Sequence, residues 1–307
     1  MIIMIFEALV FGIFSFLTAY FLMGILIPIM KSLKMVGTDI NKPNKPKVAE
    51  IGGLAIISPV ILFLFIWGYT AIAISITIIA FIGLIDDVFG IPQMKKAIAP
   101  MIAGIPLLFV VNSLLIDIPF IGFVNFGVIY IAILFLSLAV SSNLTNMLAG
   151  FNGMEWGMAV PMFLGSLMIG VILNIPIVIL MSALMLGACF AGFLFGFPIA
   201  KAFPGDVGTL SIGGIMAIML MVGHIEAYAI VFVPYLIDFF LKLKSGMPSS
   251  GWWGKYKNGM LHCEGSPKGF AQWIMKYCDG ISEIRLVMFF MAFETLFVGI
   301  GYFLVMV

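Results

Sequence analysis

The polar stretch SSNLTNMLAGFNGMEWG, residues 141–157, interrupts a chain that is otherwise close to continuous apolar sequence. Asn143, Asn146, Asn152 and Glu155 fall here between two segments that are each long enough to span a bilayer. Asparagine is a two-way hydrogen-bonding residue and an oxygen ligand, and it is disfavoured against lipid. A polar loop at membrane depth must be buried in protein or line a wet cavity. The stretch therefore indicates a functional site.

The composition is that of a membrane protein. Of 307 residues, 63% are hydrophobic and 9% are charged, whereas ordinary soluble domains carry about 25% charged residues. The formal net charge of +1 does not specify a partner; we expect membrane lipid around the chain and no nucleic acid. The three cysteines, Cys189, Cys263 and Cys278, have neither metal-ligand spacing nor a disulfide pattern.

The apolar runs predict an all-α, polytopic integral membrane protein with about ten transmembrane helices, because crossing a bilayer takes roughly 20 apolar residues. We predict a single transmembrane domain over residues 1–307, with a loop at 244–284 between the ninth and tenth helices. The predicted helices cover residues 3–30, 51–69, 71–85, 97–112, 124–141, 155–173, 176–196, 208–223, 227–242 and 285–305.

The basic residues orient this topology. All 15 Lys and Arg residues fall in loops on one side of the predicted bundle. The positive-inside rule places those loops in the cytoplasm, and an even number of helices then places both termini outside. The polar stretches at residues 38–50, 83–96, 141–157 and 203–209 lie on the same side. The sequence therefore predicts active-site loops on the cytoplasmic face.

Carboxylates mark the helix ends in these loops. Asp86 and Asp87 end an apolar segment, and Asp206 lies in the turn sequence FPGDVG. A solvated helix end and a turn-forming Asp are the structural alternatives. Acids at the end of a transmembrane helix are often functional, and Asp or Asn oxygens with room for phosphate suit Mg²⁺. Lys96, which could be a positive-inside anchor, could also neutralise a phosphate.

The residues alone thus indicate an oxygen-rich Mg²⁺ site at the membrane surface with basic residues nearby. Lipid phosphate and nucleotide diphosphate chemistry would suit such a site. A secondary transporter is the main rival, since intramembrane acids are common in transporters. That alternative predicts polar residues at mid-membrane and an inverted repeat. Here the polar residues collect at one face, although Glu294 falls near the middle of the tenth predicted helix.

The motifs NLTNMLAGFNGME, DINKPNKPKVAEIGGL and GLIDDVFG together resemble the polyprenyl-phosphate N-acetylhexosamine-1-phosphate transferases, over essentially the whole chain. The alanine before the glycine in NLTNMLAGFNGME is similar to the dolichyl-phosphate GlcNAc-phosphotransferase branch. The resemblance implies transfer of GlcNAc-1-phosphate from a UDP-sugar to a polyprenyl or dolichyl phosphate, with release of UMP. This reaction would be the first membrane step of lipid-linked oligosaccharide synthesis for protein N-glycosylation.

The resemblance also implies roles for single residues. It makes Asp86, Asp87 and Lys96 catalytic and Asn146 and Asp206 the ligands of Mg²⁺. It implies a substrate-binding set, in which Asn143 lies near the lipid phosphate and the others contact the nucleotide: Asp39, Ile40, Glu50, Asn143, Gly150, Asn152 and Phe203. Gly150 and Phe203 would lie on either side of the uracil. An acid has been regarded either as a covalent nucleophile or as a group that orients the lipid phosphate; we favour direct displacement.

The chain departs from the family pattern in two places. Gly90 stands where an acidic or amide residue is usual. The stretch MPSSGWWGKYK, residues 247–257, replaces an Arg- or His-rich motif that reaches the sugar, and Lys255, Lys257 or His262 could substitute. The identity of the sugar therefore stays open.

Several alternatives stay open at this stage. One is a transferase that initiates a cell-wall or surface polymer on another polyprenyl phosphate, and another is a catalytically lapsed scaffold. The dolichol-type resemblance favours an archaeal plasma membrane. A homodimer is among the alternatives for the oligomeric state.

Overall fold

The chain is mostly helical, as predicted. The computed structural model describes residues 2–111, 113–248, 251 and 253–307, with the side chains of residues 2 and 3 left out. The helices in those residues are α1 (Ile2–Ser32), α2 (Gly53–Ile66), α3 (Thr70–Phe89), α4 (Gln93–Ile98), α5 (Gly104–Leu107), α6 (Ile129–Met147), α7 (Met154–Leu173), α8 (Pro176–Gly196), α9 (Gly205–Gly223), α10 (Val233–Lys244), α11 (Phe270–Tyr277) and α12 (Glu283–Met306), with 3₁₀ helices at Ala99–Ala103 and Glu226–Phe232.

Seven helices in the described part of the chain are long and apolar enough to cross a membrane. They are α1, α3, α6, α7, α8, α9 and α12. The chain is therefore an integral membrane protein, but the expected count of about ten spans is not confirmed. The second predicted span is α2, which has only 14 residues.

The fourth and ninth predicted spans are broken. Residues 97–112 were expected to form one helix, but α4, the 3₁₀ helix Ala99–Ala103 and α5 follow one another as short pieces. Pro100 and Pro106 lie in these pieces, and proline removes a backbone donor and clashes with the preceding turn. The ninth span is divided between the 3₁₀ helix Glu226–Phe232 and the 12-residue α10.

Among the described residues, three short antiparallel hairpins, absent from the all-α prediction, lie in the connections. They pair β1 (Val36–Thr38) with β2 (Lys47–Ala49), β3 (Leu115–Ile118) with β4 (Gly122–Asn125), and β5 (Lys255–Lys257) with β6 (Met260–His262). Strands of three or four residues give little periodic signal in a sequence. The loop predicted at 244–284 contains β5, β6 and α11.

Helix α9 lies at the centre of the bundle and is the most buried of the candidate spans. It packs against α3, α6 and α2, while α8 packs against α1 and α7. Glycines permit these close approaches: a Cβ on Gly83 of α3 would lie 2.5 Å from the backbone of Val207, and Gly53 of α2 directly faces Gly208. Small residues serve this purpose in membrane helices, where lipid supplies no hydrophobic drive for helix association.

Candidate active site

A buried lysine lies between two carboxylates where α3, α4 and α9 meet. The ammonium of Lys96 is 2.6 Å from Asp86 Oδ2 and also forms an ion pair and hydrogen bond with Asp206. Asp86 is near the end of α3, and Asp206 is in the first turn of α9. Burial by itself would lower the pKa of Lys96, but Asp206 and Asp86 more than offset this effect and raise it. Lys96 is therefore a fixed positive charge.

Asn146 completes this cluster from the end of α6. Its side-chain nitrogen donates to Asp206 Oδ1 at 2.7 Å and to the hydroxyl of Thr209 at 2.9 Å. Thr209 lies one turn beyond Asp206 on α9 and was not singled out in the sequence. The two residues expected to bind the metal, Asn146 and Asp206, are thus in direct contact.

Asp87 has a different environment from its neighbour Asp86. Its two carboxylate oxygens accept the backbone N–H groups of Asp206 at 2.7 Å and Val207 at 3.0 Å. These amides belong to the first turn of α9, where a helix has no internal acceptors. Gly205 has a φ of +65°, and a Cβ there would lie 2.6 Å from Asp87 Oδ2. Asp87 therefore caps α9 from another helix.

The donor set fits a magnesium ion that arrives with phosphate. In the described residues no group of three or more His, Cys, Asp or Glu side chains could hold a metal unaided. Mg²⁺ is usually held by one or two carboxylates together with substrate phosphates and water. Asp206 and the amide of Asn146 supply such a set, with Asp86 close by through Lys96. The Lys96 ammonium already shows that this pair of carboxylates attracts a cation.

A second polar cluster joins the loop after β1 to the loop between α6 and α7. Asp39 is 3% exposed and accepts a 2.8 Å hydrogen bond from the side-chain amide of Asn152. Asn41 donates from its side chain to the carbonyl of Gly150 at 3.1 Å. Glu155, to which the sequence assigned no role, accepts the N–H of Gly150 at 2.7 Å. Both backbone groups of Gly150 are therefore fixed.

Glu50 and Phe203 lie together against Gly37. A Cβ on Gly37 would be 2.5 Å from Glu50 Oε1 and 3.1 Å from the Phe203 ring. Backbone hydrogen bonds join their segments, from Phe203 N to Ala49 O and from Gly52 N to Phe203 O, each 2.8 Å long. Burial raises the pKa of Glu50, an effect that Lys47 partly opposes.

The two remaining predicted residues lie at the edges of the site. Asn143 donates to the carbonyls of Ala97 at 3.1 Å and Ala139 at 2.8 Å, so it contacts the segment that carries Lys96. Ile40 follows Asp39 and has an exposed side chain. The structure thus brings residues from all four predicted polar stretches together at one end of the bundle.

Glu283, in the first turn of α12, is a central residue of the second polar cluster that the sequence does not indicate. Its Oε1 accepts the backbone N–H of Asn152 at 2.9 Å and the side-chain amide of Asn41 at 3.3 Å, and its Oε2 pairs with Lys42. It is 7% exposed. An acid in the first turn of a helix is ordinarily explained by the helix dipole, so its sequence position alone does not indicate this role.

The segment that follows α10 also reaches the site. A Cβ on Gly150, whose φ is +111°, would lie 2.7 Å from the indole nitrogen of Trp253. Lys255 and Lys257, suggested as sugar contacts, form ion pairs with Glu264 at 3.0 and 2.8 Å. The third suggested contact, His262, lies on β6 and packs against Gly280. Within the stretch 247–257, residues 249, 250 and 252 lie outside the described residues.

Known proteins resemble this chain over most of its length. A protein of Saccharolobus solfataricus is 33% identical over 94% of this chain and 93% of its own. One of Sulfolobus acidocaldarius is also 33% identical, over 88% of both chains. Both carry the provisional name UDP-N-acetylglucosamine–dolichyl-phosphate N-acetylglucosaminephosphotransferase. The phospho-N-acetylmuramoyl-pentapeptide-transferase of Clostridium perfringens is 28% identical over 92% of this chain and 96% of its own.

A family model also matches this chain. The model described as glycosyl transferase family 4 matches residues 69–224. This range contains Asp86, Asp87, Lys96, Asn146 and Asp206, whose side chains meet at the end of the bundle. The chain therefore belongs to glycosyl transferase family 4.

Proposed function

We propose that the protein transfers GlcNAc-1-phosphate from UDP-GlcNAc to a dolichyl or other polyprenyl phosphate and releases UMP. The observation that carries this proposal is the continuity of the two polar clusters. Asn146 in the first and Asn152 in the second are joined by one short loop. A phosphate bound near Lys96 and a nucleotide bound near Asp39 could therefore belong to a single donor molecule.

The proposed reaction is a direct displacement at the β-phosphorus. An oxygen of the lipid phosphate forms a bond to that phosphorus, and the bond to the oxygen bridging the two donor phosphates breaks. UMP takes the bridging oxygen and its electron pair. Mg²⁺ bound at Asn146 and Asp206 would supply a Lewis acid for the diphosphate. The lipid product is a polyprenyl diphosphate that carries GlcNAc.

The chain's own residues would bind and orient the reactants. Lys96 offers a positive charge for phosphate, and Asp86 orients the Lys96 ammonium. Asp87 fixes the start of α9, which places Asp206. Asn143, beside the Lys96 segment, would face the lipid phosphate. Positioning and charge stabilisation account for most of the rate enhancement in phosphoryl transfer.

For the donor nucleotide we propose the second cluster. Asp39, Ile40, Glu50 and Asn152 would hold the uridine, with Gly150 and Phe203 on either side of the base. Glu155 and Asn41 support this arrangement because they fix the backbone of Gly150. Substitution of Glu50 or Asn152 should therefore weaken UDP-sugar binding more than lipid binding.

The protein is proposed to act in an archaeal plasma membrane with its site in the cytoplasm. Both relatives at 33% identity are archaeal proteins, and the basic loops favour this orientation. A polymer-initiating transferase is the second candidate. The resemblance to the Clostridium enzyme supports this candidate. That enzyme is 28% identical to this chain, which is less than the 33% of the two archaeal relatives.

A transfer assay tests the proposal. Purified protein in detergent, given labelled UDP-GlcNAc and dolichyl phosphate, should form a chelator-sensitive lipid product. Parallel reactions with other UDP-sugars would identify the preferred sugar. Full activity of Asp206→Ala would contradict the assignment of the metal ligand.

A further inference from the structure

Helix α10 carries a buried ion pair that no step of the proposed reaction uses. Asp238 and Lys242 are one turn apart and are 2% and 5% exposed, and Asp238 Oδ2 is 2.8 Å from the Lys242 ammonium. Burying two charges is costly unless both are paired and have further hydrogen bonds. Each of these side chains has a further partner, and the two partners lie in different parts of the chain.

One further partner of Lys242 is at the end of α6. The ammonium donates to the carbonyl of Met147, the last residue of that helix. The final carbonyls of a helix have no acceptor role inside it, and lysine is a suitable donor to them. The preceding residue is Asn146, whose amide contacts Asp206. Lys242 therefore fixes the backbone next to a proposed metal ligand.

The partner of Asp238 is at the start of α11. Its Oδ1 accepts the N–H of Phe270, the first residue of that helix, at 2.8 Å. A Cβ on Gly269 would lie 2.8 Å from the same oxygen, so glycine permits this approach. The Phe270 ring packs edge-on against Phe290 and Phe293 of α12, with centroids 5.2 and 5.5 Å away.

Helix α11 in turn holds the backbone beside Trp253. The side-chain nitrogen of Gln272 donates to the carbonyls of Gly251 and Trp253, both at 2.9 Å. The indole of Trp253 lies against Gly150, in the loop that begins after Met147. These contacts connect the two ends of one loop through α10 and α11. They begin at the Met147 carbonyl and end at Gly150, where the indole of Trp253 packs.

We infer that Asp238 and Lys242 are positioning residues that hold the loop at residues 147–153 in place against the segment at residues 245–282. The inference rests on the proposed function, because that loop carries the groups assigned to the UDP-sugar. The pair acts through the Met147 carbonyl and the Phe270 amide. Loss of the pair should affect binding of the UDP-sugar and not of the lipid phosphate. The residue assigned to the lipid phosphate, Asn143, is held separately by its hydrogen bonds to the carbonyls of Ala139 and Ala97.

The kinetic test compares Lys242→Met with two controls. Lys244→Met makes the same change at an exposed lysine of α10, and Lys242→Arg keeps a cation that can donate to both partners. In Lys242→Met, we expect the KM for the UDP-sugar to rise by about tenfold or more, because small displacements of binding groups are costly. The KM for polyprenyl phosphate should stay unchanged in Lys242→Met. Both KM values should stay unchanged in Lys244→Met, and Lys242→Arg should raise the KM for the UDP-sugar less than Lys242→Met does. A loss of kcat in Lys242→Met with both KM values unchanged would overturn the inference.

Hydrogen exchange of the full chain in detergent provides a readout that needs no activity. Lys242→Met should exchange faster than wild type at residues 148–153 and 253–254, and Lys244→Met should not. Faster exchange confined to α10 would contradict the positioning role. If Lys242→Met does not fold, Asp238→Ala provides a second comparison, because it removes both the acceptor of the Phe270 N–H and the carboxylate that pairs with Lys242. A wild-type protein without transfer activity would refute the proposed function, while the exchange result would still decide the role of the pair.

Discussion

Asp86 and Asp87 are adjacent in sequence but contact different groups. Asp86 pairs with Lys96 and accepts the N–H of Ile91 at 2.5 Å, whereas Asp87 accepts two amides of α9. Of these two neighbouring acids, Asp86 is the one that contacts Lys96, the cationic side chain expected to bind phosphate. Asp87 holds Asp206 in position because it accepts backbone N–H groups in the first turn of α9, the helix that contains Asp206.

We expect Asp87→Ala to destabilise the protein more than Asp86→Ala. Loss of a capping side chain costs about 1 kcal/mol and up to about 2, and here two first-turn amides lose their acceptor. Asp86→Ala removes one backbone contact, and Lys96 keeps Asp206 as its partner. Thermal unfolding in detergent measures the difference. An equal or smaller loss of Tm in Asp87→Ala would contradict the capping role.

Glu50 should give a pH-dependent contribution to stability. Burial raises its pKa above the ordinary 4.5, and Lys47 opposes part of the shift. With the folded-state pKa above the unfolded one, the contribution is fully present below about pH 4.5 and is lost as the pH rises through the raised value. Glu50→Gln should therefore flatten the fall in Tm across this range.

Tm profiles of wild type, Glu50→Gln and Glu7→Gln measure this effect. Glu7 is exposed on α1, so its substitution controls for the loss of one carboxyl group. Parallel profiles for wild type and Glu50→Gln would refute the assigned shift.

At the scale of elements, the contact between α3 and α9 sets the geometry of the site. A Cβ on Gly83 would lie 2.5 Å from the Val207 backbone. Gly83→Ala must separate the two helices where Asp86 and Asp206 share Lys96. We expect the rate of transfer to fall by about tenfold or more, since catalysis depends on close positioning.

Gly24→Ala is the matched control for this prediction. Gly24 lies on α1, and a Cβ there meets nothing within 4 Å. The substitution should leave transfer unchanged, because alanine is a better helix former than glycine and no neighbour must move. Equal rates for Gly83→Ala and wild type would show that this approach does not control the site.

The sequence predicts most of the helices, but it does not show that some of them are broken into shorter pieces. Long apolar runs correctly predict α1, α3, α6, α7, α8, α9 and α12, because helical length and hydropathy are local properties. The run at residues 97–112 is equally apolar, yet Pro100 and Pro106 fall within a series of short pieces. The hairpins could not be predicted because their strands contain only three or four residues.

The same limit applies to the site. The resemblance to a known family singled out Asp86, Lys96, Asn146 and Asp206, and the structure brings these side chains into contact. Glu283, in contrast, contacts Asn152 and Asn41 of the second polar cluster because α12 packs against α7. Local sequence contains no information about such an approach, and an acid beginning a helix has an ordinary explanation.

At the scale of the whole molecule, the native cysteines can test the orientation. Cys278 is exposed, and Cys189 is fully buried in α8. A membrane-impermeant maleimide should leave the chain unlabelled in sealed right-side-out vesicles and should label Cys278 once the vesicles are opened. Cys278→Ser should lose most of that labelling. Labelling of Cys278 in sealed vesicles would place the segment at residues 245–282 outside the cell.

The position of bond cleavage tests the central claim most directly. The purified protein would receive UDP-GlcNAc carrying a labelled β-phosphorus, together with dolichyl phosphate, and the products would be separated and identified by mass. We predict that the label moves into the lipid product with GlcNAc and that the released nucleotide is UMP. Release of labelled UDP, with sugar but no labelled phosphorus in the lipid, would contradict sugar-phosphate transfer.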